Sequence, residues 1–211
     1  MMDYRNMLIE IFIVLAVALM IFLVMLIIMV VQKRNYAVQQ RKQKILIDEM
    51  IYAFAKCIDM KDNYTKGHSF RVAKYTQMLT QKLGYPREIV DDYYNIALLH
   101  DIGKISVPDA ILNKQEGLTD EEYEIMKSHA AAGYEVLKDI TVAPDLALGA
   151  GFHHERMDGK GYPKGLKGND IPRVAQIIAV ADTFDAMYSN RPYRKKLELS
   201  EVTQEMKRIS G

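Results

Sequence analysis

The sequence predicts an all-α protein: one amino-terminal transmembrane helix followed by a helical soluble domain. Three observations carry that prediction. Every residue from Ile11 to Val31 is apolar, the rest of the chain repeats apolar residues at helical spacing between recognisable caps, and no stretch alternates apolar and polar residues as a half-buried strand does. The 211 residues suffice for one domain with an accessory segment, or two small ones. A content of 49% hydrophobic and 26% charged residues excludes a wholly disordered chain. Lys plus Arg total 28 against 27 Asp plus Glu, a formal charge of +1, so no general DNA or RNA binder is expected. The one cysteine, Cys57, excludes an internal disulfide and any zinc site built on cysteines.

The apolar run of 21 residues, IFIVLAVALMIFLVMLIIMVV, matches a hydrocarbon core of about 30 Å when helical. A cleaved signal peptide has a shorter apolar region of about 7–15 residues and a small-residue cleavage site. Val30-Val31-Gln32-Lys33-Arg34 offers no such site, so a retained anchor in contact with the lipid bilayer is expected. Lys33, Arg34, Arg41, Lys42 and Lys44 follow the span before the first acid, Asp48, whereas only Asp3, Arg5 and Glu10 precede it. The positive-inside rule then puts the carboxy-terminal bulk in the cytoplasm, as in a single-pass inner-membrane protein. The expected division is a short external segment (1–10), the span (11–31), a basic juxtamembrane linker (32–46) and the soluble domain (47–211).

Within that domain, Ile47, Met50, Ile51, Phe54 and Ile58 recur at helical spacing, and Cys57 beside this stripe is expected as a small core residue. The stripe has two readings: it packs on its own domain, or it pairs two copies into a homodimer, in which case cysteines at Gln39 or Gln43 would cross-link. A helix is expected over about Thr65 to Leu83, stopped by Gly84-Tyr85-Pro86. The next runs from Pro86 to His100-Asp101, with Gly103 ending it. Thr119 and Glu122 read as a capping box opening a helix to about Lys138. Residues 158–169, with four glycines and a proline, read as loop; Val174–Met187 and Ser200–Ile209 complete the helices.

The five histidines decide the functional reading. His100-Asp101 closes an apolar stretch, Ile96-Ala97-Leu98-Leu99, where an unpaired carboxylate is costly to bury. His153-His154 precedes Glu155 and the glycine-rich loop, and His68 and His129 lie on expected helices. Imidazole and carboxylate without thiolate suit Zn, Fe or Mn, and a catalytic rather than a closed structural metal.

These residues carry a resemblance. His100-Asp101-Ile102-Gly103-Lys104 resembles the signature of HD-domain phosphohydrolases, and His153 through Pro163, HHERMDGKGYP, resembles the extended motif of the HD-GYP subgroup. Asp62 to Arg71, with Tyr64-Thr65 and His68-Ser69, is similar to that family's first metal-binding helix. Ala181 to Met187 and Arg191-Pro192-Tyr193-Arg194 match its later segment, so the resemblance covers about residues 45–210.

The resemblance implies a helical HD-type phosphohydrolase domain that cleaves the bacterial second messenger cyclic di-GMP to pGpG, GMP or both. It implies two divalent transition-metal ions, Fe or Mn ahead of Zn. His68, His100, Asp101 and Asp182 would hold one ion, and Asp101 would bridge to a second held by His129, His153 and His154. Two such cations make a hydroxide nucleophile available near neutral pH and offset charge on the leaving oxygen. By the same resemblance Lys104 contacts the scissile phosphate, Arg191 and Arg194 grip phosphates, and Gly159, Gly161, Tyr162 and Pro163 shape the loop over the nucleotide. Glu155 is expected to brace the histidine pair, Asp185 to orient a ligand or an arginine, and Tyr162 either to stack or to anchor its loop. Two departures matter. Tyr64 stands where members with a third metal carry glutamate, which implies two ions. The chain also stops at Gly211, earlier than full-length members, so either a shortened domain or a fragment of a longer chain is expected. The same chemistry on another cyclic dinucleotide or nucleotide, and a non-catalytic membrane-tethered binding module, are the alternatives.

Overall fold

A computed structural model of the protein describes residues 4–62, 66–190 and 195–209. The chain divides into two compact units, Met1–Asp48 and Glu49–Gly211. The first is helical throughout its described residues and lies within helix α1 (Tyr4–Lys61). The most apolar window of α1 has a mean hydropathy of 3.5 and none of it is buried. A core helix of a water-soluble protein would bury such a window. This one is a candidate membrane span by length and composition.

The second unit is all-helical among its described residues. After the end of α1 come α2 (His68–Lys82), α3 (Arg87–Leu98), a 3-10 turn η1 (Ile102–Ser106) and the short α4 (Asp109–Leu112). Then follow α5 (Asp120–Leu137), α6 (Asp145–Phe152), a second 3-10 turn η2 (Gly168–Asp170), α7 (Arg173–Tyr188) and α8 (Leu199–Ile209). Helix α2 packs on α3 and α7, and α5 packs on η1 and α6. Val72 and Ala73 of α2, Ile96 to Leu98 of α3, Ala147 and Ala150 of α6, and Ile177, Ile178 and Ala181 of α7 share one core.

Local chemistry sets the boundaries. Gly84 takes φ +80° and Pro86 starts α3, which together turn the chain between α2 and α3. At α5 the capping box forms in full: Thr119 Oγ1 accepts the Glu122 N–H at 3.3 Å, and Glu122 Oε2 accepts the Thr119 N–H at 2.8 Å. Such a cap stabilises a helix by about 1 kcal/mol.

Four expectations need correction. Cys57 is exposed, not a core residue. The buried residues of α1 are Ala55, Ile58 and Asp59, and Cys57 lies on the other side of the helix. Of the predicted stripe only Ile51 and Ile58 meet the core, while Ile47, Met50 and Phe54 stay half exposed. The third helix ends at Leu98, before His100-Asp101, because the chain there tightens into η1. The loop over 158–169 runs into η2, and α6, which the sequence reading left out, precedes it. Tyr64, Arg191 and Arg194 lie outside the described residues.

Candidate metal centre

Three histidines are oriented by the same local device. His100 Nδ1 donates to the Ala97 carbonyl at 2.7 Å, His129 Nδ1 to Met126 at 2.7 Å, and His153 Nδ1 to Ala150 at 2.9 Å. Each imidazole thereby satisfies a carbonyl three residues earlier in the chain and is held as the Nδ1–H tautomer. Its Nε2 lone pair is left facing inward, the arrangement in which metal-binding histidines are usually held.

Those lone pairs converge on Asp101. Oδ1 lies 3.5 Å from His129 Nε2 and 3.9 Å from His153 Nε2, while Oδ2 lies 3.4 Å from His100 Nε2 and 3.7 Å from His68 Nε2. One carboxylate thus turns one oxygen to each of two groups of imidazoles. The ligand atoms of Asp101, His129, His153 and His154 lie within 4.8 Å of one another, as do those of His68, His100 and Asp101. Asp182 Oδ1 joins the second group, 3.2 Å from His68 Nε2.

The donor set fits divalent metal. The Nε2 atoms of His100, His129 and His153 are buried and have no hydrogen-bond partner among the described residues. Three unpartnered lone pairs facing a carboxylate are unfavourable unless a cation lies between them. Imidazole and carboxylate together select a borderline or hard divalent ion.

His68, the first residue of α2, differs from the rest. Its Nδ1 donates to Asp185 Oδ2 at 2.8 Å, and Asp185 also takes a two-pronged contact from Arg71, at 2.7 and 3.0 Å, and the Ser189 hydroxyl at 2.9 Å. Burial opposes charge on His68, but the hydrogen bonds to Asp182 and Asp185 outweigh it and raise the imidazole to about 9. Burial likewise works against the Asp185 carboxylate, yet His68 and Arg71 hold it down at about 2. His154 is driven the other way, to about 4, by burial. His129 and His153 are lowered for the same first reason.

A pH prediction follows. Near neutral pH His68 carries a proton on the nitrogen that a metal ion would take, whereas His129, His153 and His154 are already neutral. Loading the metal-free chain at pH 7.5 should release about one proton from His68. Affinity at that site should rise about tenfold per pH unit up to pH 9 and level off above it. Calorimetric titration in two buffers of different ionisation enthalpy reads the proton count. Release of none at pH 7.5 would show that His68 does not ligate.

Lys104, on η1, places Nζ 2.8 Å from Asp101 Oδ2 and 2.8 Å from Asp62 Oδ2. Burial opposes its charge, but the two carboxylates keep it firmly protonated. Gly159 takes φ +79°, and Gly161 has no room for a side chain: a Cβ there would lie 2.5 Å from the Glu155 Cα and the His154 carbonyl. That close approach lays the Tyr162 ring on the His154 ring, with centroids 4.7 Å apart and an angle of 27°. The stacking partner is therefore a candidate ligand. Pro163 follows through a cis peptide bond and is exposed. Glu155 accepts the backbone N–H groups of Lys164 and Leu166 at 2.7 and 2.8 Å, so its carboxylate braces the loop and not the histidine pair. Sequence reasoning missed the parts played by Asp62 and Arg71. Both sit inside the first matched motif, and for Arg71 the spacing of three residues from His68, facing Asp182 and Asp185 at the same spacing, was the available signal.

A buried cluster of histidines and aspartates around one carboxylate, on a scaffold of helices, defines a candidate metal centre. The chain belongs to the HD domain family, which its residues 52–211 match, and its motifs place it in the HD-GYP branch. It is similar to a cyclic di-GMP phosphodiesterase of Thermotoga maritima, 44% identical over 156 residues, which are 72% of this chain and 42% of that protein. It is also similar to the 3'3'-cGAMP-specific phosphodiesterase 3 of Vibrio cholerae, 40% identical over 153 residues, 72% of this chain and 33% of that one. The chain thus spans less than half the length of these curated relatives. Among solved structures it shares its fold with Bd1817, a HDG"Y"P protein from Bdellovibrio bacteriovorus, at a TM-score of 0.56 and 23% identity, over 66% of this chain and 44% of that one.

Proposed function

We propose that this chain is a membrane-anchored, metal-dependent phosphodiesterase that hydrolyses cyclic di-GMP through a two-metal centre. The observation that carries the reading is Asp101, whose two oxygens face two separate groups of imidazoles. His68, His100, Asp101 and Asp182 would hold one ion, and Asp101, His129, His153 and His154 the other. Bound there, the ions would supply an activated water and offset charge on the phosphate.

The chain's own residues do the rest. Asp185 and Arg71 hold the His68 ring in place, and the helix carbonyls hold three more rings. Lys104 keeps its charge beside Asp101, where a cation can hydrogen-bond a phosphate oxygen. Tyr162 stays a neutral hydroxyl because burial raises its phenol. It walls the His154 side while Gly159 and Gly161 let the loop backbone come close. Arg191 and Arg194 are proposed phosphate contacts.

The test is the full chain in detergent, loaded anaerobically with Fe(II) or Mn(II) and given cyclic di-GMP, 3'3'-cGAMP or linear pGpG. About two ions per chain and turnover of cyclic di-GMP are expected. Turnover of 3'3'-cGAMP alone would move the reading to the substrate named for the Vibrio relative. A chain that holds two ions and cleaves no cyclic dinucleotide would sink it.

For the anchor we propose residues 1–10 outside, 11–31 in the inner membrane, 32–46 as basic linker and 47–211 as the cytoplasmic domain. The flanking charges support it, as does the exposure of the whole apolar window. Cys57 gives a direct test, being exposed and the one cysteine of the chain. A membrane-impermeant maleimide should leave it unlabelled in intact spheroplasts and label it in inverted vesicles. The opposite pattern would reverse the topology.

A further inference from the structure

Lys61 and Asp62, where α1 ends, grip the segment that follows Asp101 from two sides. Asp62 takes the Lys104 ammonium at 2.8 Å. Its neighbour Lys61, which ends α1, turns its own ammonium onto three backbone carbonyls: Lys104 at 3.0 Å, Ile105 at 2.8 Å and Val107 at 2.7 Å. An ammonium has three donors, and here each meets one carbonyl. Asp109 stands 3.6 Å away, and the Lys61 carbonyl accepts from the Asn113 amide at 3.0 Å.

The carbonyls matter because η1 is short. A 3-10 turn leaves its last carbonyls without partners inside the turn and, with poorer hydrogen-bond geometry than an α-helix, holds its shape weakly by itself. The Lys104 carbonyl of η1 accepts the Val107 N–H at 3.1 Å, and the Gly103 carbonyl accepts the Ser106 hydroxyl at 2.8 Å. Lys61 binds the Lys104 carbonyl together with two more, and so fixes the path of the chain from Lys104 to Val107. That path decides whether the Lys104 side chain reaches Asp101.

We propose that Lys61 is a positioning residue for this centre: it clamps η1 from behind so that Lys104 is held against Asp101. The role in turnover rests on the phosphodiesterase reading above; the clamp itself does not. It touches neither the candidate ligands nor the loop over them, so its loss should affect rate more than binding.

The experiment compares Lys61→Met, of similar length but without donors, with Lys61→Arg, which keeps charge and donors, in the full chain. In Lys61→Met, amide exchange at 104–107 should speed up about tenfold while exchange in α6 stays as in the wild type. kcat on cyclic di-GMP should fall about tenfold or more with KM within about threefold, the pattern of a displaced group and not of lost binding. Metal content should stay at the wild-type value, and Lys61→Arg should restore at least half of the rate and the slow exchange. Unchanged exchange at 104–107 in Lys61→Met would overturn the clamp whatever the activity. Equal losses in the two variants would also overturn it, since a merely packed stem would give that result. Should the wild-type chain prove inactive on cyclic dinucleotides, the phosphodiesterase reading fails while the exchange comparison still decides the clamp.

Discussion

Replacing Asp101 by asparagine is expected to lower single-turnover hydrolysis of cyclic di-GMP by about a thousandfold and to reduce metal content at both halves of the centre. The side chain keeps its shape, so the effect comes from charge and donors alone. If the new amide NH2 points to the Oδ2 side, it meets the Lys104 ammonium, now at 2.8 Å from an acceptor, and two donors oppose each other. If it points to the Oδ1 side, it donates to the lone pair of His129 or His153, now 3.5 and 3.9 Å away, and occupies the atom a metal needs. Either orientation damages one group of ligands, and the lost negative charge weakens both. Lys104→Ala would remove the one phosphate contact proposed for it and leaves both carboxylate oxygens, so a smaller loss of about ten- to a hundredfold is expected. Rates measured with metal content on the same samples decide between them. Near-normal metal and rate in Asp101→Asn would refute the bridging role.

Gly103→Ala should be the most destabilising single-methyl change in this domain. A Cβ at that position would lie 1.9 Å from the His129 carbonyl oxygen and 2.5 Å from the Gly133 nitrogen. Both obstacles are backbone of α5, which cannot swing aside as a side chain can. Either η1 moves off α5 or the helix distorts, and overpacking of this kind costs about 3 kcal/mol or more. Because η1 carries Lys104 and follows Asp101 directly, the same shift pulls Asp101 away from His129. Denaturant unfolding of the chain in detergent reads the stability, and metal content reads the second effect. Gly117→Ala is the control: nothing lies within 4 Å of a Cβ there, so its midpoint should stay put. Equal midpoints for the two variants would mean that the η1–α5 contact is looser than described.

Much of the domain could be read from local patterns, because local chemistry makes them. The capping box at Thr119–Glu122 appeared where the sequence put it, since its two hydrogen bonds join residues three apart. The turn at Gly84–Pro86 followed from backbone permission at one residue and restriction at another. The apolar window of α1 needed only counting. Cys57 was misplaced because periodicity shows that a helix has an apolar face but not which neighbours will cover it. The covered face runs through Ile51, Ala55, Ile58 and Asp59, and α2 helps to select it: Asp59 accepts the Ser69 hydroxyl at 2.6 Å. Helix α6 escaped because Leu146 to Phe152 is nearly uniform in polarity, so it carries no periodic signal.

The sequence by itself determined the histidines and aspartates, their order, and the family to which their motifs belong, since those are properties of residues a few places apart. It also determined the candidate membrane span, which depends on composition alone. Only the tertiary structure decided that Asp101 turns one oxygen to His68 and His100 and the other to His129 and His153, residues drawn from α2, the end of α3, α5 and the end of α6. It likewise decided that Asp185 faces His68 across 117 positions of chain and that Lys61 reaches three carbonyls some 43 to 46 positions away. Such contacts depend on how helices pack, and packing is settled by glycines such as Gly103, which lets η1 lie against the backbone of α5, and Gly149, which makes room for the Ile96 side chain, and by large side chains that hold helices apart. No pattern within one helix contains that information, because each helix supplies only one wall of the site.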